Sequence, residues 1–437
     1  MINFIKQKVQ KHSDLFSLFR FVPYGMRLGS SYGKHKKLIL KYDEMSLKEK
    51  EEFHFKKLKR VIEFAYENNH FYRDFYDLKN FHPSQFRQLS DFDKVPVVTK
   101  DDMKRYDIDM RSSKHNSPFR VNTGGTSGKP LGFYLDKKAF AREWAYMHNV
   151  WSKIGYSFLD LKLTFRGKNN NGIPLRYNVI HNEYVVDAYV SHDKIVESIR
   201  KLCSKKTVKY LHGYPSSIYE FCMYLKNNSI CASSLFGGNL QGVFLGSEYP
   251  AKIYRDVIES VLMVPTISWY GHSEMSVLAY EKEKNFHYQP FQTYGFTEAL
   301  RLNENESKLI GTSYYNFNSP FIRYDTGDLI CHEEYDSSIL KSFKISSGRV
   351  GDVVFDHQGS PISLTALIFG RHHKAFDIID FIQVKQPKNG VAILYVSSQY
   401  EVSVDMFDLA NIDMTFDVIV NKSPIKTKAG KVPLLIG

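Results

Sequence analysis

Cross-links and metal ligands are scarce in this chain. Only four of its 437 residues are cysteine: Cys203, Cys222, Cys231 and Cys331. Their spacings of 19, 9 and 100 residues form no CxxC pair and match no common zinc set or disulfide framework. A reducing cytoplasm is the compartment this implies. No stretch reaches the roughly 18 apolar residues of a spanning helix. The opening MINFIKQKVQKHSDLFSLFRFVPYG lacks the continuous apolar core and small-residue cleavage site of a secretory signal. Fixed-period repeats and low-complexity tracts are missing too, which excludes solenoids and disordered arrays. Acidic residues number 47 against 59 Lys and Arg, leaving a formal charge of +12.

What remains is ordinary globular material, 43% hydrophobic and 24% charged, with Phe 32 and Tyr 29 against Trp 3. An excess of positive charge can serve nucleic acid, an acidic membrane surface or phosphorylated small molecules. The short runs Lys34, Lys36, Lys37, Lys41 and Lys56, Lys57, Lys59, Arg60 read as solvated faces. No homeodomain, zinc-finger or RNA-recognition signature accompanies them, so no nucleic-acid partner is expected. The N-terminal Phe4, Ile5, Lys6, Lys8, Lys11, Phe16, Leu18, Phe19 and Arg20 can lie on anionic lipid as a peripheral contact, or pack as a helix on the large domain.

Apolar spacing predicts helix over 46–76, with a capped helix opening at Thr99. Short strands are predicted at 133–135, 159–165, 207–212, 240–245 and 266–270, with helices between them at 137–152, 216–226 and 248–261. That alternation predicts an α/β fold with a mixed or mainly parallel sheet. Shorter, turn-separated segments follow: 277–281, 309–314, 321–324 and 343–354. From about residue 347 the pattern is a small α+β unit. The expected organisation is a large domain of several subdomains over 1–346, with mixed sheets flanked by helices, and a small mobile domain over 347–437.

Five segments can carry chemistry. Thr123-Gly124-Gly125-Thr126-Ser127-Gly128-Lys129 offers a turning backbone, hydroxyls and a cation, the makings of an anion nest. It is not a Walker A loop, because three residues separate Gly124 from Gly128 and Pro130 follows Lys129. Phe321–Asp328 ends in a carboxylate able to accept from vicinal hydroxyls, although Thr-Gly-Asp is also common turn composition. Ser347–Asp352 supplies Arg349 between two glycines. Trp269–Glu274 joins aromatic rings, the break at Gly271 and a carboxylate, suited to an adenine stack and a Mg²⁺ contact. Ala429-Gly430-Lys431 puts a lysine near the C-terminus; alone it reads as a solvated tail. No HExxH and no GxSxG occurs, so scattered histidines read as structural.

The order and spacing of these segments resemble the adenylate-forming superfamily, on the side of the phenylacetate–coenzyme A ligases and CapK-like proteins. Ala65–Arg73 resembles that branch's "A…NSPFYR" opening and Val95–Lys100 its "lPvltK" segment; Gly213–Ser217 and Gly246-Ser247-Glu248 also fit. The resemblance runs from about residue 55 to the end. It implies that Thr123–Lys129 holds the β- and γ-phosphates of ATP. Gly246, Ser247, Glu248, Tyr270 and Gly271 would border adenine, with Tyr270 stacking on it. Glu274 would help hold Mg²⁺, Asp328 the ribose hydroxyls, and Arg349 ribose or phosphate. Lys431 would reach the α-phosphate, so that Lys431, Arg349 and Glu274 form the implied catalytic set. Some positions depart from the pattern: the loop reads TGGTSGKP, position 351 is glycine where an acidic residue is usual, Lys426 stands for arginine, and Pro433 is unexpected.

The implied function is ATP-dependent activation of a carboxylic acid, then acyl transfer to a thiol, amine or alcohol. The CapK-like side implies capsule or cell-surface polysaccharide synthesis. The alternatives are an acyl- or aryl-coenzyme A ligase, and a non-catalytic scaffold in a polysaccharide-assembly complex. The sequence leaves the acid, the acceptor and the oligomeric state open.

Overall fold

A computed structural model describes residues 17–113, 119–122, 131–247, 250, 252–283, 286–347, 353–369, 371, 373–425 and 434–436. Strands β1 (Phe119–Asn122) and β2 (Gly132–Leu135) form an antiparallel hairpin. A twelve-stranded sheet follows. Its strands are β3 (Leu161–Lys168), β4 (Leu175–Asn178), β5 (Glu183–Asp187), β6 (Val208–Gly213), β7 (Gly242–Leu245), β8 (Thr266–Gly271), β9 (Leu278–Glu283), β10 (His287–Pro290), β11 (Gly295–Arg301), β12 (Ser307–Ser313), β13 (Tyr324–Asp336) and β14 (Ile339–Ser347). Their order is β11-β12-β13-β14-β10-β9-β8-β7-β6-β3-β5-β4. Parallel pairing links β5, β3, β6, β7 and β8 in turn, and the strands from β8 to β14 pair antiparallel.

The parallel half is made by helices that cross between strands: His192–Cys203, Pro215–Asn227 and Lys252–Leu262. Two-residue alternation is lost in its strands because both faces are covered. β7 is buried at all four positions, as a parallel strand under helices must be. One core joins these helices to Leu163, Leu211, Val243 and Leu245; a second gathers Leu58, Ile62, Phe71, Tyr72 and Phe92 against Phe296, Phe321 and Tyr324.

After residue 352 lie the hairpin β15 (Val353–Phe355) and β16 (Pro361–Ser363) and a four-stranded sheet. That sheet, ordered β19-β18-β17-β20, contains β17 (Ile379–Lys388), β18 (Val391–Ser398), β19 (Thr415–Asn421) and β20 (Leu435–Ile436). These strands and the helix Leu364–Phe369 share a core of their own, from Val354 to Leu434. The expected α/β class is therefore present: a large sheet-and-helix unit followed by a smaller α+β one. Among the described residues, a hydrogen bond crosses between them, from the Tyr189 hydroxyl to Asp408 Oδ2 at 2.6 Å.

Two expectations need correction. Helix over 46–76 breaks at Asn69, where the backbone turns extended and the Asn69 side chain accepts from Tyr72 N–H, ending Leu47–Asn68 and capping His70–Leu78. The strand expected at 321–324 starts only at Tyr324, because Arg323 takes a left-handed φ of 47°. Thr99 does cap its helix, in a reciprocal box with Asp102.

Fully buried His54 gives a pH prediction. Its ring nitrogens meet the hydroxyls of Tyr42 and Tyr314, each at 2.7 Å, and burial pushes its pKa down to about 3. The unfolded chain takes up a proton near pH 6.5 that the fold refuses, so the fold keeps full stability above that pH and loses it as pH falls toward 3. By pH 4 this site alone is expected to cost about 3 kcal/mol. Denaturant midpoints measured from pH 7 to pH 4 check this; a flat profile overturns it. Burial likewise lowers His35 and His181 to about 4, adding to the same decline.

Candidate functional site

The carboxyl ends of β3, β6, β7 and β8 lie side by side, the place where open parallel sheets bind ligands. Four of the expected site residues gather there: Gly246 and Ser247 after β7, and Tyr270 and Gly271 ending β8. Glycine is required at two of these ends. A Cβ at Gly246 would sit 2.1 Å from the Trp269 indole, and one at Gly213 2.1 Å from the Phe165 carbonyl oxygen. Ser247 holds φ +67°, a costly angle for a side-chain residue. Its Oγ accepts from Arg166 Nη2 at 2.6 Å. Arg166, at the end of β3, was missed in the sequence; its position on that parallel strand was the available signal.

Tyr270 and Asp328 are brought together, the hydroxyl donating to Oδ2 at 2.5 Å. Asp328 reaches this point because β13 bulges. Lys308 pairs with Leu329 and Ile310 with Asp325, which leaves 326–328 as an extra loop. Asp325 closes that loop by accepting from Gly327 N–H at 2.9 Å, and Lys308 Nζ anchors Asp325 at 2.7 Å. Thr326 Oγ1 donates to the Leu309 carbonyl and accepts from Asp328 N–H. Arg323, in the same motif, is a clamp: its guanidinium donates to the carbonyls of Asp93 and Val95, both at 2.8 Å, and pairs with Glu298 at 3.1 Å. It thereby docks the Val95–Val98 segment beside the site, where Val98 N–H donates to the Arg323 carbonyl.

Glu274 follows β8 on a tight turn and is 4% exposed. Its Oε2 lies 3.1 Å from His272 Nδ1 and 3.2 Å from Ser273 Oγ, and its Oε1 accepts from the Tyr324 hydroxyl at 3.4 Å. Val277 N–H donates to His272 Nε2, so the ring hydrogen is assigned to Nδ1, facing the carboxylate. Ser276 Oγ lies 3.2 Å from the same Nε2. Ser276, His272 and Glu274 thus imitate a hydrolytic triad, but Ser276 is 0% exposed and Nε2 already serves a backbone N–H. The arrangement fixes the turn and gives no nucleophile access to substrate.

Half-buried Glu143, on the helix Ala139–Ser152, accepts from the Tyr294 hydroxyl at 2.5 Å. Burial pushes its carboxyl up, against the pull of that bond and of Arg142, His272 and Arg166. A raised carboxyl among cations next to the strand ends was not anticipated either, since nothing in the sequence near 143 resembles a motif. Behind Trp269 stand His212 and Trp151, at ring distances of 6.0 and 6.1 Å, and the buried pair Lys162–Glu183 at 3.1 Å.

Thr123, Gly124, Gly125, Thr126, Ser127, Gly128, Lys129, Glu248, Arg349 and Lys431 lie outside the described residues. The flanks of two of these segments are described. Asn122 pairs with Gly132, so 123–131 connects the β1–β2 hairpin. Tyr134 N–H donates to Ser319 Oγ, and Phe133 packs edge-on against Phe321, which ties this hairpin to the chain leading to Asp328. On either side of residues 426–433, Ile425 exchanges two hydrogen bonds with the Gln383 side chain, and Val384 N–H donates to the Leu434 carbonyl.

For a divalent cation, the described residues hold no cluster of three or more His, Cys, Asp or Glu side chains. Mg²⁺ does not need one, since one or two carboxylates with substrate phosphates and water suffice. Glu274 fits that role as a hard oxygen donor placed just after the end of β8.

No family model matches the chain. It is 23% identical over 269 residues to Protein CapK of Staphylococcus aureus, covering 60% of this chain and 59% of that one. It is 38% identical over 76 residues to phenylacetate–coenzyme A ligase of Escherichia coli, 17% of each chain. The chain thus spans about three-fifths of the first relative and about one-sixth of the second. Among solved structures, 2-hydroxyisobutyryl-CoA ligase in complex with 2-HIB-AMP and CoA aligns at TM-score 0.55 and 17% identity over 90% of both chains. An open conformation of that ligase aligns at TM-score 0.54, over 90% of this chain and 92% of the other.

Proposed function

We propose that this chain, which has the fold of the adenylate-forming ligases, uses ATP to activate a carboxylic acid as an acyl-adenylate and passes the acyl group to a thiol, with coenzyme A the favoured acceptor. The observation that carries the reading is the gathering of Ser247, Tyr270, Asp328 and Glu274 at adjoining strand ends, next to the hairpin that bears TGGTSGK. The likeness in fold to a ligase solved with an acyl-adenylate and CoA, and the sequence similarity to a phenylacetate–coenzyme A ligase, support coenzyme A as acceptor.

The residue roles are those that the resemblance to the adenylate-forming superfamily implies, and the chemistry of the reaction suits them. A carboxylate oxygen attacks the α-phosphorus, the bond from that phosphorus to the bridging oxygen breaks, and pyrophosphate leaves. Two anions must meet, so positive charge has to be in place beforehand. Lys129 and the hydroxyls and N–H groups of Thr123–Gly128 would take the β- and γ-phosphates, with Arg349 at ribose or phosphate and Lys431 at the reacting oxygens. Asp328, oriented by the Tyr270 hydroxyl, would accept from the ribose hydroxyls while the Tyr270 ring packs on adenine. Glu274 would hold Mg²⁺, which supplies charge neutralisation on the phosphates. In the second step a thiolate attacks the acyl carbon and AMP departs. The domain after residue 347 would move between the two steps, exchanging the groups around one carbonyl.

A second reading keeps the activation and changes the acceptor to a group in capsule or cell-surface polysaccharide synthesis; the 269-residue similarity to CapK favours it. ATP–pyrophosphate exchange, screened over aryl, hydroxy, uronic, amino and fatty acids, is the test. Exchange with one acid class is expected, with AMP release then stimulated by coenzyme A. Stimulation by an amine or alcohol instead selects the second reading. No exchange and no ATP binding would leave a non-catalytic scaffold.

A further inference from the structure

We infer that the face formed by residues 17–41 docks on an anionic lipid surface. The charge of the chain is concentrated there. Residues 17–42 carry +6 of the total +12. Between Ser17 and Tyr42 there are six basic residues and no acidic one.

The structure sorts these residues by face. The helix Ser30–Glu44 buries Ser31, Tyr32, His35 and Ile39 and exposes Lys34, Lys36, Lys37 and Lys41 beside Leu40. Lys34, Lys37 and Lys41 stand at i, i+3 and i+7, one stripe along the helix. Among the described residues none of these four lysines takes part in an ion pair, which leaves their charge available to an outside partner.

The preceding turn adds an apolar edge. Leu18 is 58% exposed, Phe21 60% and Met26 76%. These side chains are not loose ends, because Arg27 pins the turn. Its Nε donates to the Val22 carbonyl at 2.7 Å, Nη1 to the Ile180 carbonyl at 3.1 Å, and Nη2 to the Arg20 carbonyl. Its guanidinium also lies over the rings of Tyr24 and Phe158, at 4.9 and 5.5 Å. An anchored turn that still offers three large apolar side chains to water, next to a basic stripe, matches a bilayer surface. Headgroups meet the lysines, and Leu18, Phe21 and Met26 enter the acyl boundary. Nucleic acid would satisfy the charge and leave the apolar edge wet. No helix among the described residues is long and apolar enough to cross a membrane, so the contact is peripheral.

The test is flotation of the full chain with vesicles of phosphatidylcholine alone and of phosphatidylcholine mixed equally with phosphatidylglycerol. Binding to the anionic vesicles, weakened by salt, is expected. Each basic residue near such a surface contributes about fivefold, so the combined Lys34→Gln, Lys37→Gln, Lys41→Gln variant is expected to lose roughly a hundredfold in affinity. Phe21→Ser with Met26→Ser is expected to weaken binding at unchanged charge. All five sites are exposed, and an unchanged thermal melt separates lost docking from lost folding. Equal binding to both vesicles, binding to neither, a triple variant that binds like the parent, or capture of an RNA oligomer without vesicle binding would each overturn the inference. None of these readouts depends on the ligase reading.

Discussion

Lys431→Ala is expected to lower adenylation about 10²–10³-fold while ATP affinity changes little. The effect is electrostatic. When a carboxylate closes on the α-phosphate, negative charge crowds the oxygens around phosphorus, and a cation aimed there acts mainly in the transition state. In ground-state ATP the β- and γ-phosphates carry most of the charge, and those are assigned to Lys129 and its loop. The anchoring on β17 suits the task, since Gln383 fixes the chain at Ile425 and Val384 fixes it at Leu434. ATP–pyrophosphate exchange measures the loss and equilibrium dialysis measures the affinity. Unchanged exchange would remove Lys431 from the mechanism.

The largest expected effect on stability belongs to Glu281→Ala. Glu281, on β9, takes both Nη groups of Arg255 at 2.7 and 2.6 Å and accepts from Ser268 N–H and Oγ, each at 3.1 Å. Arg255 Nε donates to Thr266 Oγ1 at 2.6 Å. The pair is 5% and 6% exposed. Removing the carboxylate takes the bidentate partner from a buried guanidinium, at a cost of about 3–5 kcal/mol. The loss falls on β8, the strand that ends in Trp269, Tyr270 and Gly271. Replacing both partners by apolar residues, Arg255→Met with Glu281→Leu, leaves no orphan charge and is expected to recover most of the loss. Urea midpoints of the single and double variants decide this. A single variant that costs less than about 1 kcal/mol would mean that water reaches Arg255.

Both effects bear on how much could be read beforehand. The strands at 207–212, 240–245 and 266–270 were legible because parallel strands under helices are short apolar runs bounded by turns. Residues 183–187 and 295–301 were not, since Glu183 and Glu298 sit inside them, paired with Lys162 on the neighbouring strand β3 and with Arg323 just before β13. Such charges disguise a strand until its partner is known. The candidate site was legible where glycine and carboxylate share a short segment, as in Trp269–Glu274. Arg166 and Glu143 escaped because neither has a neighbour in sequence that shares its task. Each gains its place from the tertiary fold: Arg166 from the alignment of β3 with β6 and β7, and Glu143 from a helix packed against the turn at Tyr294.

The Tyr189–Asp408 bond has an energetic meaning for the chain as a whole. A hydroxyl–carboxylate bond at a half-buried position is worth about 1–2 kcal/mol net, a few times thermal energy. A bound molecule that prefers another arrangement of the two units has this much to offset at the bond itself, besides the packing of Val353 on the core of the large unit. The proposed movement of the C-terminal unit between the two half-reactions would have to break this bond, and a contact of that strength can yield to a bound molecule.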